Sequence, residues 1–186
     1  ERIGLTDEKV VMFLGTPRPH KGVDDLLAAF KIIDNPDLNL AIIGADNHQE
    51  FLERIDRSIR HRVVVLPKMP FDKLPELLSA ADIIAIPQRR TSDSVGQIPA
   101  RLFDAMSMGK PIIATRVSDI PEVLDGCGYL VDPNQPAQLA EAIEYILNHL
   151  DEARAKGQTA RERCQRMYDI SNLEFGLSKL MEKVLA

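Results

Sequence analysis

Apolar positions fall into two regimes along the chain: short continuous runs rich in β-branched residues, and longer stretches in which apolar residues recur every three or four positions. Val10 to Leu14 is a run of the first kind. It is followed by the loop Gly15-Thr16-Pro17-Arg18-Pro19-His20-Lys21-Gly22, and then by Leu26, Leu27, Phe30 and Ile33 at helical spacing. This predicts a strand, a loop and a helix. Leu40 to Ile43 with Gly44 repeats the unit, with Phe51, Ile55 and Ile59 marking its helix, and Val63 to Leu66 predicts a third strand. Beyond Pro67 to Pro70, Leu74-Pro75-Glu76-Leu77-Leu78 predicts a helix leading into a fourth strand, Asp82 to Ile86, which Pro87 ends. Ile112 to Ala114 predicts a fifth strand, Pro121 to Leu124 a short helix, and Tyr129 to Val131 a sixth strand. Leu139, Ile143, Ile146, Leu147 and Leu150 share one helical face, and two further helical segments reach Leu185.

Apolar strands alternating with helices imply an α/β domain with a parallel sheet covered on both faces and joined by right-handed crossovers. The expected fold is a Rossmann-like, doubly wound sheet of about six strands. In that order the first and fourth strands are neighbours, and ligands bind in the crevice at their carboxyl ends. The two loops that leave those ends are Gly15 to Gly22 and Gln88 to Gln97. The second is longer than a connection needs, and such loops commonly bind something. Pro99 suits the first turn of the next helix, so the amides of Gly96, Gln97 and Ile98 are expected to form an anion-accepting end. In that helix Leu102, Phe103 and Met106 form the buried stripe, while Arg101, Asp104 and Ser107 share another face. Asp is a poor helix-interior residue. Asp104 is either half of a surface pair with Arg101 or a carboxylate aimed at a ligand's hydroxyls.

With 186 residues the chain supports one domain. Residues 10–186 are expected to form it, with residues 1–9 a polar lead-in or interdomain linker, the whole excised from a longer protein. The net charge of −5 and the lack of a basic, aromatic-laced stripe argue against nucleic acid as a partner. Cys127 and Cys164 are far apart, with no His or Cys at metal-ligand spacing, so they read as packing residues and no metal is expected. No apolar run reaches the roughly 20 residues of a membrane span and no signal pattern opens the chain, so a cytoplasmic location is expected.

Against the acidic total, the strand-end loops gather Arg18, His20, Lys21, Lys68, Arg89 and Arg90, with Arg101 one turn into the helix. A local excess of cations on an acidic protein focuses anionic ligands, and the set points to a phosphate site. No G-x-G-x-x-G follows the first strand and no G-x-x-x-x-G-K-[ST] is present, so neither a dehydrogenase fingerprint nor a P-loop is available. Pro17 and Pro19 stiffen the first loop and would hold Arg18 and Lys21 outward as a fixed pair of cations, which suits a diphosphate.

Several motifs together resemble a known family. They are Gly15 to Gly22 with Val23-Asp24-Asp25-Leu26-Leu27-Ala28-Ala29-Phe30, then Leu74 to Asp82, Leu102-Phe103-Asp104-Ala105-Met106, Gly109 to Ala114, Asp119 to Leu124 and Gly126 to Val131. In this order they resemble the carboxyl-terminal domain of GT-B glycosyltransferases of the group-1 (family 4) type. The resemblance covers nearly the whole chain. It implies that the domain binds a nucleotide-sugar donor without a metal or other cofactor, and that an amino-terminal domain of the same polypeptide binds the acceptor. Membrane contact, if the full protein makes it, is then expected through that other half. The resemblance further implies that Arg18 and Lys21 hold the donor diphosphate and that Asp104 holds the ribose hydroxyls. Lys68 and Met69 would border the base, and Ser94, Val95, Gly96, Gln97 and Ile98 would line the donor.

Two departures stand out. The family's arginine after the loop glycine is Thr16 here, which shifts that role to Arg18. Of the family's E-x7-E pair, the second acid is Asp104 while the first position falls on Gly96, with Asp93 three residues upstream. The reading is a retaining glycosyltransferase donor domain. A sugar-nucleotide epimerase of the same architecture and a non-catalytic nucleotide-binding module are its rivals.

Overall fold

The computed structural model describes residues 8–172 together with Ser178 and Met181. Six strands build one parallel sheet: β1 (Lys9–Leu14), β2 (Leu38–Ile43), β3 (Val63–Leu66), β4 (Ile83–Ile86), β5 (Ile112–Thr115) and β6 (Tyr129–Val131). Their order is β3-β2-β1-β4-β5-β6, the doubly wound arrangement. Val11 lies opposite Ile83 and Met12 opposite Ile84, so β1 and β4 meet where the winding reverses.

Helices cover both faces: α1 (Val23–Ile32), α2 (His48–Arg54), α3 (Leu74–Ala80), α4 (Ala100–Ser107), α5 (Ile120–Val123), α6 (Pro136–Asn148) and α7 (Leu150–Tyr168). Successive strand residues point to opposite sides. Val11 and Phe13 join the layer that holds α1 and α6, while Val10 and Met12 join the layer of α3, α4, α5 and α7. Burial on both sides explains why these strands read as continuous apolar runs rather than alternating ones.

The element boundaries differ from expectation in four places, each for a local reason. Ile55 and Ile59 are buried but lie beyond α2, which stops at Arg54. The Asp56 carboxylate accepts hydrogen bonds from the Ser58 amide and hydroxyl, a turn that competes with the helix. Arg60 then caps the end, donating from Nη2 to the carbonyls of Glu53 at 2.6 Å and Ile55 at 2.8 Å. Pro99 is the N-cap rather than the first helical residue of α4, its ψ of 127° being extended. Leu150 opens α7 instead of closing α6. Lys9, assigned to the lead-in, begins β1 and pairs with Asp82 at 3.3 Å. In α4 the buried residues are Leu102, Ala105 and Met106, with Phe103 half-buried against Tyr168. The remainder of the lead-in and the end of the last helical segment at Leu185 lie outside the described residues.

Two contacts give the frame its shape. Gly22 has φ +70°, and a Cβ there would run into the Pro87 carbonyl oxygen, so only glycine lets the start of α1 rest on the end of β4. Arg62 is buried and donates to the carbonyls of Phe30, Ile33 and Asn35, closing the carboxyl end of α1. Cys127 and Cys164 are buried free thiols, packed as expected. Among the described residues no helix is long and apolar enough to cross a membrane.

Candidate functional site

The carboxyl ends of β1 and β4 enclose a cavity of about 240 Å³ at the switch point of the sheet. The strand ends supply an apolar wall, and Gly15, Lys21, Gln88, Pro99, Ala100 and Arg101 complete the lining. The crevice therefore lies between the two loops singled out in the sequence, with the first turn of α4 as its third side.

The first loop folds back on itself. The Arg18 amide donates to the Thr16 carbonyl at 2.9 Å and the Lys21 amide to that of Arg18 at 2.9 Å, while Pro19 opens a single 3-10 turn over Pro19–Lys21. Arg18 is exposed and Lys21 half-buried. Burial pushes the Lys21 pKa below the ordinary lysine value, and the neighbouring Arg18 charge lowers it further. Among the described residues neither cation has an acidic partner. That separates them from the rest of the strand-end set. Arg89 grips Asp25 with two hydrogen bonds of 2.6 and 2.7 Å, and Lys68 pairs with Asp46 at 3.1 Å. His20 lies 3.8 Å from Asp93, and Arg90 donates to the Arg116 carbonyl. The expected set of seven basic residues thus reduces to the Arg18 and Lys21 pair, because most of the set is already paired or used to fix loops.

The loop after β4 is a woven polar structure rather than a set of free donors. Ser94 is fully buried. Its hydroxyl donates to the Arg89 carbonyl and accepts from the Thr91 amide at 2.8 Å. The Gly96 amide donates to the Ser118 hydroxyl at 2.9 Å, and Ser118 donates in turn to the Ser94 carbonyl at 2.8 Å. The Gln97 amide donates to the Ser94 carbonyl at 3.2 Å. Two of the three amides expected to accept an anion are therefore committed within the chain, which corrects that expectation and leaves Ile98 of the three. Ser94 is a brace, and Val95 is exposed on the rim. Arg89 ties this loop to the first one, its amide donating to the His20 carbonyl at 2.9 Å.

On α4, Arg101 donates to Oδ2 of Asp104 at 2.6 Å, the surface pair of the first alternative. Oδ1 is not used in that bond, and Asp104 is only about a quarter exposed. Arg101 reaches the crevice lining while Asp104 stands one turn behind it. Lys68 and Met69 are exposed on the loop after β3 and do not line the crevice. Asp93 is exposed near His20. Of the residues expected from sequence, Lys21 lines the cavity. Arg101, expected only as a member of the cationic set, and Gln88, not singled out in the sequence, do so as well. Arg101 carried a signal in its charge and position on α4, whereas the burial of Gln88 within a polar loop left none.

A parallel switch-point crevice lined by Lys21, with Arg18 in the same loop and neither cation paired with an acid among the described residues, defines a Rossmann-like domain suited to an anionic ligand. Residues 8–149 match the family model described as glycosyl transferases group 1, and the chain belongs to that family of enzymes. It is 33% identical over 152 residues to D-inositol 3-phosphate glycosyltransferase from Corynebacterium diphtheriae, which covers 75% of this chain and 34% of that protein. Its fold matches the Anabaena protein HepE in complex with UDP-glucose, with a TM-score of 0.83, 18% identity, 97% of this chain and 50% of that one. It also matches the C-terminal domain of a glycosyl transferase group 1 family protein from Francisella tularensis, with a TM-score of 0.72, 19% identity and 87% of both chains. The chain spans between about a third and a half of the length of the curated relatives it matches.

Proposed function

We propose that this chain is the donor-binding domain of a retaining, metal-independent glycosyltransferase that moves a sugar from a nucleoside-diphosphate sugar to an acceptor held by an amino-terminal domain of the same polypeptide. The observation that carries the reading is the Arg18 and Lys21 pair. Both cations lack acidic partners among the described residues, and Lys21 lines the crevice between β1 and β4. As the sugar leaves, negative charge grows on the diphosphate, and the two neighbouring cations, exposed Arg18 and half-buried Lys21, stabilise that charge without a metal ion. Asp104 serves the ribose, its Oδ1 accepting a hydroxyl while Oδ2 stays with Arg101. The Ile98 amide adds a donor at the start of α4. Lys68 and Met69 border the base from the loop after β3. The matching of a Francisella domain over 87% of both chains supports reading the chain as a carboxyl-terminal half, and the UDP-glucose complex of HepE supports a nucleotide sugar as ligand.

The test is a thermal-shift panel of UDP, GDP, ADP and dTDP with and without the matching sugars. A ligand that binds the folded state alone raises its stability by RT ln(1 + [L]/Kd), so at equal concentration the tighter ligand gives the larger shift. One base is expected to stand out, and a flat response to all four diphosphates would remove the reading. The stereochemical part is read from the anomeric configuration of the product made by the full-length enzyme: inversion would contradict it.

A further inference from the structure

Gln88 is buried at the edge of the crevice, 1% exposed, and its Oε1 has no hydrogen-bond partner among the described residues. Nothing in the packing explains this. An apolar residue of the same length would fill the space with no orphaned acceptor, and a buried polar atom left unpaired costs free energy. The amide orientation follows from its neighbours: Nε2 donates to the Ser94 carbonyl at 3.3 Å, and exchanging N and O would set two carbonyl oxygens against each other. The backbone is fixed separately, since the Gln88 carbonyl accepts from Thr115 Oγ1. Only the end of the side chain is loosely held, by one long hydrogen bond, and its last torsion is soft.

The other polar side chains that line the cavity, Lys21 and Arg101, can only donate. Gln88 Oε1 is the acceptor of this set. A phosphate alone would meet the cations and leave the glutamine unmatched, whereas a phosphate ester of a hydroxylated ring meets both. A cavity of about 240 Å³ is smaller than the roughly 300–1,000 Å³ typical of whole-ligand sites, so it takes one part of a larger molecule. We propose that Gln88 reads the sugar of the donor, turning Oε1 to accept a hydrogen bond from one sugar hydroxyl while Lys21 and Arg18 hold the diphosphate. The inference rests on the donor-binding reading and adds to it a residue that selects the ligand.

The experiment is calorimetric titration of the chain with UDP, GDP, ADP and dTDP and with their glucose, mannose and N-acetylglucosamine conjugates. The quantity read is the ratio of the diphosphate Kd to the Kd of its best sugar conjugate. In Gln88→Met, which keeps the length without the acceptor, this ratio falls roughly 3- to 10-fold while the diphosphate Kd stays within about twofold. Gln88→Glu retains acceptor oxygens but loses the bond to Ser94, and is expected to keep the ratio. Should Gln88→Met fail to fold, singly deoxygenated sugar conjugates bound to the wild type and to Gln88→Glu replace it, with one position losing a similar factor. An unchanged ratio in Gln88→Met, or an equal loss for diphosphate and conjugate, overturns the role of Gln88 and leaves the donor reading standing. No loss at any deoxygenated position does the same. Failure of every diphosphate to bind the wild type overturns both.

Discussion

At Lys21, desolvation and the charge of Arg18 act in the same direction, disfavouring the protonated form that a diphosphate would need. A bound diphosphate reverses this by supplying the opposite charge. Affinity is therefore expected to fall as pH rises through the Lys21 pKa, which lies below the ordinary lysine value of 10.5, and Lys21→Arg should flatten that fall in calorimetric titrations. The linkage sign for folding is opposite. A depressed lysine pKa means that the unfolded chain binds more protons in that window, so Lys21 adds stability as pH rises. Arg18→Ala and Lys21→Ala are each expected to weaken diphosphate binding by about 1.5–3 kcal/mol while barely changing nucleoside binding. Equal weakening of both would show that the loop reads something other than phosphate. Asp104 separates its two readings through the ligand. With Oδ1 on the ribose, Asp104→Asn lowers affinity for a ribonucleotide far more than for its 2′,3′-dideoxy form; with the Arg101 pair as the whole role, the change costs about 0–1 kcal/mol of stability and leaves both affinities alone.

Among the elements, the two loops at the switch point are held as one unit by Arg89. Its guanidinium is about a quarter exposed and the Asp25 carboxylate less so, so Arg89→Met strands a poorly solvated carboxylate near the start of α1. A loss of about 2–3 kcal/mol in urea denaturation is expected, below the 3–5 kcal/mol of a fully buried pair because water still reaches this one. Adding Asp25→Asn should recover part of it, and simple additivity of the two changes would mean that the pair is not the brace. The helix ends show how far sequence periodicity carries. It located α1 closely because its apolar stripe persists to the cap, and it overran α6 only at Leu150, which opens α7. It overran α2, where Ile55 and Ile59 keep helical spacing but the Asp56 turn with Ser58 takes the backbone elsewhere. Periodicity records which residues are buried, and a buried residue after a turn continues the same pattern.

For the whole molecule, the donor-domain proposal carries the expectation that the chain binds a nucleoside diphosphate and transfers no sugar, since the acceptor would be held by the proposed amino-terminal domain. Sugar transfer by this chain alone, measured with the base chosen by the thermal-shift panel, would contradict the two-domain reading. The strands, their parallel arrangement and the position of the crevice were legible in the sequence, because continuous apolar runs and intervening helical stripes admit few topologies and the right-handed crossover removes most of the rest. Arg18, between Pro17 and Pro19, and Lys21 two residues beyond stood out in the sequence as charges in a strand-end loop, and neither has an acidic partner among the described residues. Which other charges remained available was not legible. Arg89 and Lys68 looked like members of the same cationic set, and their partners Asp25 and Asp46 are brought to them by helix and loop placement, whereas the Arg101–Asp104 pair, three residues apart on one helix, was legible as one of two alternatives. The Gly96 and Gln97 amides looked free until Ser118 and Ser94 closed on them. Gln88 looked like one polar loop residue among several, and only the packing of β4 against its neighbours buried it beside the cavity. Burial and pairing of polar groups depend on what the fold places within hydrogen-bond reach across long sequence separations. A local pattern contains the hydrophobic periodicity that builds the sheet, while the state of each polar atom at the site is decided by tertiary structure.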